Sequence, residues 1–212
     1  MRTAPGDPAA WIDETVVPQV KNIYGETKLA AEALCEDAAR ASGPSVIVLR
    51  TSRFFPEPDD DPAKRAAYPG DNARLNELLY RRVDIEDAAE AHFCALSKAS
   101  QMKFGRYIIS TPSPFTADDR AALGRDAMKV VTGAFPQATE IYSRLGWRMP
   151  DRLDRVYDPA RAVRDLGWSP AHTFASGLDQ AASGDPIGSA LARQIGIKGY
   201  HGAAYRDGLY PV

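Results

Sequence analysis

The sequence predicts an α/β protein, because segments typical of helices alternate with short apolar runs typical of buried strands. Residues 45–51 (SVIVLRT) and 106–110 (RYIIS) are continuous apolar runs with several β-branched residues. Runs of this kind are typical of parallel strands whose two faces are both covered. Each run follows a longer segment of helical composition, so helix and strand succeed one another along the chain.

The first elements are a loop, a long helix and a strand. Residues 1–21 are rich in Pro, Gly and Asp and predict a loop. Asn22 has the side chain of an N-cap and predicts a helix that carries Tyr24 in its first turn and runs to about Ser42. Gly43 and Pro44 then end this helix before the strand. Small apolar residues on one face predict close packing of the helix on a sheet: Leu29, Ala30, Ala33, Leu34, Ala38 and Ala41.

The rest of the chain continues the alternation. Residues 52–72 form a Pro- and Asp-rich segment that predicts a long loop, a length that is usually functional or mobile. The later predicted elements are a short helix over 72–79, a helix capped by Asp84 or a neighbouring residue that ends near Ala99, helical segments over 117–133 and 159–166, and a strand near 155–157. The segment 167–170 (GWSP) breaks the last of these helices, and the tail from Gly196 is irregular.

Composition excludes several classes of partner. The 212 residues carry a net charge of −2, so no electrostatic attraction to nucleic acid or to an anionic membrane is expected. The first residues have no apolar core of the kind a signal peptide needs, and no apolar run approaches the ~20 residues of a membrane span. Cys35 and Cys94 have no metal-ligand spacing and predict reduced thiols. These features predict a cytoplasmic protein.

The three histidines predict no metal site. His92, His172 and His201 are far apart in the sequence, with no carboxylate or cysteine at ligand spacing. Trp11, Trp147 and Trp168 are interpreted as packing residues rather than as a stacking platform.

Tyr24 and Lys28 are the residues most informative about chemistry. Four residues apart on a helix, they lie on one face, one turn from each other. A nearby ammonium lowers the pKa of a phenol by favouring the phenolate, which equips the tyrosine for proton transfer. The spacing alone is also met by an exposed tyrosine beside a solvated lysine, so the context of the pair decides its interpretation.

That context resembles a known family. Residues 23–32 (IYGETKLAAE) and 46–50 (VIVLR) resemble the extended short-chain dehydrogenases, the NAD-dependent epimerase/dehydratase family. Residues 83–89 (VDIEDAA) are similar to the family's capped helix after the substrate loop. Asp158, residues 165–170 (DLGWSP) and Gly177-Leu178 are similar to its C-terminal signature. The resemblance runs from about residue 10 to residue 182, with its motifs in the family's order.

The resemblance implies an architecture. It implies an incomplete Rossmann-type parallel sheet with helices, followed by a small C-terminal α/β substrate domain. Residues 1–112 would be the C-terminal part of the Rossmann domain, with the Tyr-x-x-x-Lys helix and an inserted substrate-loop segment. Residues 113–212 would be mainly the substrate-binding domain and an irregular tail.

The resemblance also implies site residues. Tyr24 would be the general acid/base, and Lys28 would lower its pKa and bind the nicotinamide ribose of NAD or NADP. Thr51 and Ser52 would also contact the cofactor. Arg53 and Tyr80 stand where the family's sugar-nucleotide enzymes usually carry Asn and Arg, and would contact a sugar or a small polar alcohol or ketone. Arg53 would suit a carboxylate or phosphate, and a plain surface arginine is the alternative.

The chain departs from the family at its beginning. No Gly-x-x-Gly-x-x-Gly turn for the pyrophosphate precedes Tyr24. The family's catalytic Ser or Thr lies some two dozen residues before the tyrosine, where Thr3 is the nearest hydroxyl. Residues 196–202 (GIKGYHG) match the glycine pattern, but they follow a helix and predict a glycine-rich tail.

These departures lead to three hypotheses about activity. The chain is expected to be a truncated oxidoreductase, weak or inactive alone; the alternatives are one half of a split enzyme and a non-catalytic scaffold that retains the fold. Absent strands would leave an unpaired sheet edge, which predicts a homo-oligomer or pairing with a missing N-terminal half.

Overall fold

The computed structural model describes residues 3–41, 43–55, 62–68 and 70–195. The glycine pattern over 196–202 lies outside the described residues. In chain order the elements are β1 (Ala10–Ile12), α1 (Ile23–Arg40), β2 (Val46–Thr51), α2 (Pro62–Ala67), α3 (Asp71–Leu78), α4 (Ile85–Lys98), β3 (Phe104–Ile109), α5 (Arg120–Leu123), α6 (Ala127–Ala134), α7 (Ala138–Leu145), β4 (Arg155–Tyr157), α8 (Ala160–Leu166), α9 (Phe174–Ser183) and α10 (Ala190–Ile195). Short 3-10 helices occupy Ala99–Gln101 and Ala117–Asp119.

The strands form two parallel pairs. β2 pairs with β3 in a register that runs from Val46 opposite Phe104 to Thr51 opposite Ile109. β1 pairs with β4, with Ala10 opposite Arg155. Parallel strands connected through helices confirm the predicted α/β class.

Local capping and strand signals predicted the first half of the chain well. The Asn22 side chain accepts a hydrogen bond from the Gly25 amide (2.9 Å), as an N-cap does, and α1 begins at the next residue. Asp84 caps α4 by accepting from the Glu86 amide (2.9 Å). Both predicted apolar strands are present as β2 and β3.

Several short elements were not predicted. Residues 1–21 contain β1 in place of a continuous loop, and the predicted loop over 52–72 contains α2 and the start of α3. The helical segment over 117–133 is divided between a 3-10 turn, α5 and α6. No element was predicted for α7, α9 or α10. Each of these elements is ten residues or shorter, and pattern periodicity over such lengths is weak.

The predicted apolar packing of α1 is wrong. Within this helix only Ala39 is buried, and Leu34 is 70% exposed. β2 is correspondingly only half-buried, whereas burial on both of its faces was expected. Arginines of β2 and β3 face α1, and carboxylates of the helix lie toward the strands. The larger apolar residues of the helix therefore lie in solvent.

Ion pairs attach α1 to the sheet. Arg50 of β2 donates from Nε to Glu32 Oε1 (2.9 Å) and from Nη2 to Glu32 Oε2 (2.7 Å), a bidentate arrangement. Arg106 of β3 lies 3.0 Å from Glu32 Oε2 and 3.1 Å from Glu36 Oε2. These contacts hold the pKa of Glu32 below its usual value, mainly through the hydrogen bond from Arg50.

The opposite face of the β2–β3 pair is apolar. Small side chains of α4 allow a close approach to this face, where Ile47 and Leu49 of β2 pack. The buried members of this cluster are Val83, Ala88, Ala91, Ala95, Tyr107, Ile109, Ala162, Leu166 and Trp168. A second cluster packs α3, α6, α7 and α9 around Leu75, Val131, Tyr142 and Phe174. Each cluster draws residues from both sides of position 112, and the predicted division into two domains stays a prediction.

A buried carboxylate joins α4 to the segment after α8. The Asp87 side chain accepts from the Ala171 amide (2.8 Å) and the His172 amide (2.9 Å), while its carbonyl accepts from Trp168 Nε1 (2.9 Å). Burial raises the pKa of Asp87, against the opposing effect of these two amides. The segment 168–172 is therefore fixed at the beginning of α4.

Glu14 terminates one edge of the β2–β3 pair. The Ile108 amide, on the edge of β3 away from β2, donates to Glu14 Oε1 (2.7 Å). Ile108 also packs with Ala10 and Ile12 of β1, which brings the second strand pair alongside. Across the part of the chain that the structure describes, no helix is long and apolar enough to cross a membrane.

Gly177 and Gly133 provide a matched test of the α3–α9 contact. A Cβ on Gly177 would lie 2.9 Å from Leu75 Cδ1 and 3.3 Å from Leu78 Cδ1, both in the core, whereas a Cβ on Gly133 meets nothing within 4 Å. Overpacking costs about 1–3 kcal/mol, and glycine-to-alanine in a helix contributes about 1 kcal/mol in the other direction. We expect Gly177→Ala to lower and Gly133→Ala to raise the free energy of unfolding in urea. Equal stabilisation by both variants would contradict the close approach.

Glu32→Gln tests the ionic attachment of α1. A carboxyl with a lowered folded-state pKa stabilises the fold fully above its usual pKa near 4.5, and this contribution is lost as the pH falls through the lowered value. We expect Glu32→Gln to cost about 2 kcal/mol at pH 7, the scale of hydrogen bonds to charged groups, and much less near pH 3. Urea unfolding at both pH values measures this, with exposed Glu140→Gln as the control. A cost that did not change with pH would exclude the ion pair as its source.

Candidate active site

The beginning of α1 lies beyond the carboxyl end of β2. α1 ends at Arg40 and β2 begins at Val46. The pairing of Glu32 with Arg50 and of Glu36 with Arg106 lays α1 along the strands in the opposite direction. Tyr24 precedes Glu32 by two turns, a distance of about 12 Å along the helix axis at 1.5 Å per residue. The side of a parallel sheet at the carboxyl ends of its strands is where α/β proteins usually bind ligands.

Tyr24 and Lys28 lie together in the first turns of α1. Lys28 Nζ is 5.5 Å from the centroid of the Tyr24 ring, so the two side chains occupy one face, as the spacing predicted. Tyr24 is 67% exposed and Lys28 is exposed as well. The phenol and the ammonium are thus adjacent and open to a ligand.

Thr51 and Ser52 lie where β2 ends. The Ser52 amide donates to the Ile109 carbonyl (2.8 Å), which continues the pairing with β3 by one residue. Ser52 Oγ is buried and has no hydrogen-bond partner among the described residues. A buried hydroxyl without a partner is costly, and a ligand atom at this position would satisfy it.

Arg53 and Tyr80 are brought to one neighbourhood. The Arg53 amide donates to the Arg81 carbonyl (3.3 Å), and the Val83 amide donates back to the Arg53 carbonyl (3.1 Å). Burial raises the pKa of Tyr80 to about 12, so its phenol stays protonated at neutral pH. Tyr80 therefore differs from Tyr24 in environment, although both carry the same functional group.

Glu77 is a residue of this neighbourhood that sequence reasoning missed. It is 5% exposed and forms ion pairs with Arg81 (2.5 Å), Arg82 (2.8 Å) and Arg53 (3.6 Å). Arg82 is itself buried, which lowers its pKa, and its Nη1 donates to the Phe55 carbonyl (3.1 Å). Only the i, i+4 spacing of Glu77 and Arg81 was visible in the sequence; the contacts with Arg53 and Arg82 depend on the fold.

The described hydrogen bond of Thr3 does not join it to Tyr24 or Lys28. Its Oγ1 donates to the Asp154 carbonyl (3.0 Å), at the beginning of β4. This hydrogen bond attaches the beginning of the described chain to the strand pair β1–β4.

The chain is similar in sequence to a curated protein. The chain is 27% identical over 203 residues to a protein named Probable UDP-arabinose 4-epimerase 3 from Arabidopsis thaliana, with 79% of this chain and 46% of that protein covered. The chain thus spans about half the length of the curated relative it matches. This similarity supports the resemblance to the NAD-dependent epimerase/dehydratase family. No family model matches the chain.

Two solved structures are similar to parts of the chain. One is RMD from Pseudomonas aeruginosa complexed with NADPH (20% identity, TM-score 0.49, 81% of this chain and 58% of that chain). Another is UDP-N-acetylglucosamine 4-epimerase from Bacillus cereus (21% identity, TM-score 0.46, 79% of this chain and 54% of that chain).

Replacing Glu77 tests how far the arginine neighbourhood depends on one carboxylate. Removing one partner of a buried pair leaves an uncompensated charge and costs about 3–5 kcal/mol. We expect Glu77→Gln to lower the free energy of unfolding by about 3 kcal/mol, measured by urea denaturation. Asp179→Asn, at an exposed position of α9, is the control and should change stability little. A Glu77→Gln protein as stable as the control would show that Glu77 does not organise these arginines.

Proposed function

We propose that this chain supplies the proton-transfer part of an NAD(P)-dependent epimerase/dehydratase-type oxidoreductase that acts on the sugar of a UDP-sugar. The observation that carries the proposal is the adjacent, accessible pair of Tyr24 and Lys28 beyond the carboxyl end of β2. The name of the curated relative supports the substrate class.

Tyr24 exchanges a proton with a hydroxyl or carbonyl oxygen of the sugar. The phenolate form accepts the hydroxyl proton, and the phenol returns it to the oxygen in the reverse direction. Lys28, 5.5 Å from the ring centroid, favours the phenolate because its ammonium carries the opposite charge. When bound, the nicotinamide supplies the acceptor and donor of hydride.

The residues present fit the nicotinamide end of such a cofactor. Lys28 carries three N–H donors that suit ribose hydroxyls, and it projects from the same face as Tyr24. Ser52 Oγ, buried and without a partner among the described residues, offers a further polar contact at the end of the neighbouring strand. Thr51 lies beside it at the same strand end.

Arg53 supports an anionic substrate. It follows the two proposed cofactor residues directly and lies in the neighbourhood organised by Glu77, 3.6 Å from its carboxylate. A guanidinium forms paired hydrogen bonds with phosphate or carboxylate oxygens, as the diphosphate of a UDP-sugar requires. Tyr80 lies near Arg53, because Arg81 packs on the Tyr80 ring and its carbonyl accepts from the Arg53 amide. Tyr80 would contact the sugar or nucleotide as a neutral phenol.

Cofactor binding by the 212-residue chain tests the proposal. Loss of one hydrogen bond to a charged donor costs about 1.5–3 kcal/mol, roughly a ten- to hundredfold change in Kd. We expect calorimetric titration with NADH to give saturable binding that Lys28→Ala weakens by at least about tenfold. Tyr24→Phe should retain binding, because the aromatic ring keeps its place and only the hydroxyl group with its exchangeable proton is lost. Lys129→Ala, an exposed lysine on α6, serves as the charge-matched control.

Two results would overturn the proposal. One is the absence of saturable NADH and NADPH binding at millimolar concentration. The other is equal binding by the Lys28→Ala and Lys129→Ala variants, which would support a scaffold that retains only the fold. A further titration with UDP-arabinose, repeated with Arg53→Ala, checks the substrate class separately from the cofactor.

A further inference from the structure

Three side chains from two distant parts of the sequence meet at the beginning of α4. One ligand atom each from Asp84, Glu86 and His172 lies within 4.8 Å of the other two. We propose that these residues bind a divalent transition-metal ion of the Zn²⁺ type. The proposal is independent of the function proposed for Tyr24 and Lys28.

The spacing of the ligand atoms fits one ion. His172 Nε2 lies 3.3 Å from Glu86 Oε2. Two ligands that are each about 2.1 Å from a zinc ion in tetrahedral geometry are about 3.4 Å apart. The His172–Glu86 distance is therefore already that of neighbouring ligands. The two distances that involve Asp84 are at most 4.8 Å, so a shift of about 1.4 Å or less (4.8 − 3.4) would bring all three ligand atoms to this spacing.

Hydrogen bonds hold His172 through its backbone and Asp84 through its carboxylate. The His172 amide donates to Asp87 Oδ2 (2.9 Å), and its carbonyl accepts from Thr111 Oγ1 (3.1 Å). Asp84 accepts from the Glu86 and Ser189 amides (2.9 Å each), which uses two of about four lone-pair positions on its carboxylate. The other positions can face a cation. The imidazole and carboxylate are thus held near each other before any ion binds.

A cavity lies on the open side of this cluster. Asp84 and His172 both line a space of about 230 Å³ between the beginning of α4 and α9, together with Ser176 and Gln180. Three protein ligands leave a tetrahedral ion with one open position, and this space would admit the water or small ligand that fills it. The cavity is a feature of the helix packing and does not depend on the charges of the cluster.

Arg74, Arg82 and Arg193 also line the cavity and would repel a cation if their guanidinium groups turned toward the cluster. Arg74 pairs with Asp71 (2.9 Å), and Arg193 donates to the Gly188 carbonyl (2.8 Å). Arg82 is the buried member of the three. Its contacts direct it elsewhere, because Nε donates to Glu77 Oε2 (2.9 Å) and Nη1 to the Phe55 carbonyl (3.1 Å). The donor set also selects the type of ion. Imidazole nitrogen with carboxylate oxygen suits zinc and its first-row neighbours, whereas magnesium and calcium prefer oxygen ligands throughout.

Metal titration of the untagged 212-residue chain tests the site. We expect calorimetry to show one Zn²⁺ per chain, and Co²⁺ to give visible absorption bands typical of a low-coordinate imidazole–carboxylate site. His172→Ala should weaken Zn²⁺ binding at least about tenfold and remove the Co²⁺ bands. Glu86→Gln should weaken binding as well, and because Glu86 is exposed this variant keeps its fold. Zn²⁺ should raise the melting temperature of the parent protein and not that of His172→Ala.

His92→Ala is the matched control, since His92 Nδ1 contacts the Ala88 carbonyl (2.7 Å) within α4. All variants carry His201→Ala, so that the only other histidine of the chain cannot contribute. The proposal is overturned if no Zn²⁺ binds at millimolar concentration. It is also overturned if His172→Ala and Glu86→Gln bind Zn²⁺ as tightly as His92→Ala does.

Discussion

The ion pairs between Glu32 and the two arginines of the β2–β3 pair determine where the proposed active site lies. α1 buries only Ala39 completely, so apolar burial alone does not hold this helix on the sheet. The bidentate contact of Arg50 with Glu32 fixes both the position and the rotation of the helix, since a fork of two parallel hydrogen bonds allows one geometry. Tyr24 and Lys28 lie up to two turns away on the same helix, so the position and rotation of α1 determine where these side chains stand.

Buried carboxylates serve the same purpose elsewhere in the molecule. Glu77 forms ion pairs with the arginines that follow β2 and α3. Asp87 fixes the segment 168–172 to the beginning of α4 through hydrogen bonds. Each carboxylate fixes irregular backbone that apolar packing could not hold in one conformation, because hydrogen bonds are directional and apolar contacts are not. The cost is the desolvation of each charge, which the surrounding donors offset.

Features encoded locally were predictable, and features that depend on the fold were not. Asn22 and Asp84 indicated the beginnings of α1 and α4, because an N-cap acts over three residues. The β-branched runs predicted β2 and β3. The i, i+4 spacing placed Tyr24 and Lys28 on one face. The exposure of Leu34, by contrast, follows from arginines of β2 and β3, which contact α1 only in the folded protein. The contact of Glu86 with His172 likewise exists only after α4 and the segment before α9 have met.

The hydrogen bond from the Ile108 amide to Glu14 makes the two borders of the sheet unequal. A carboxylate accepts one hydrogen bond from the strand but has no N–H to return, so a ladder cannot continue past it. Another polypeptide that paired with β3 would have to displace Glu14, and the alternative is addition beside β2. A strand that arrived there in the parallel sense would bring its carboxyl end to the side on which Tyr24 and Lys28 stand.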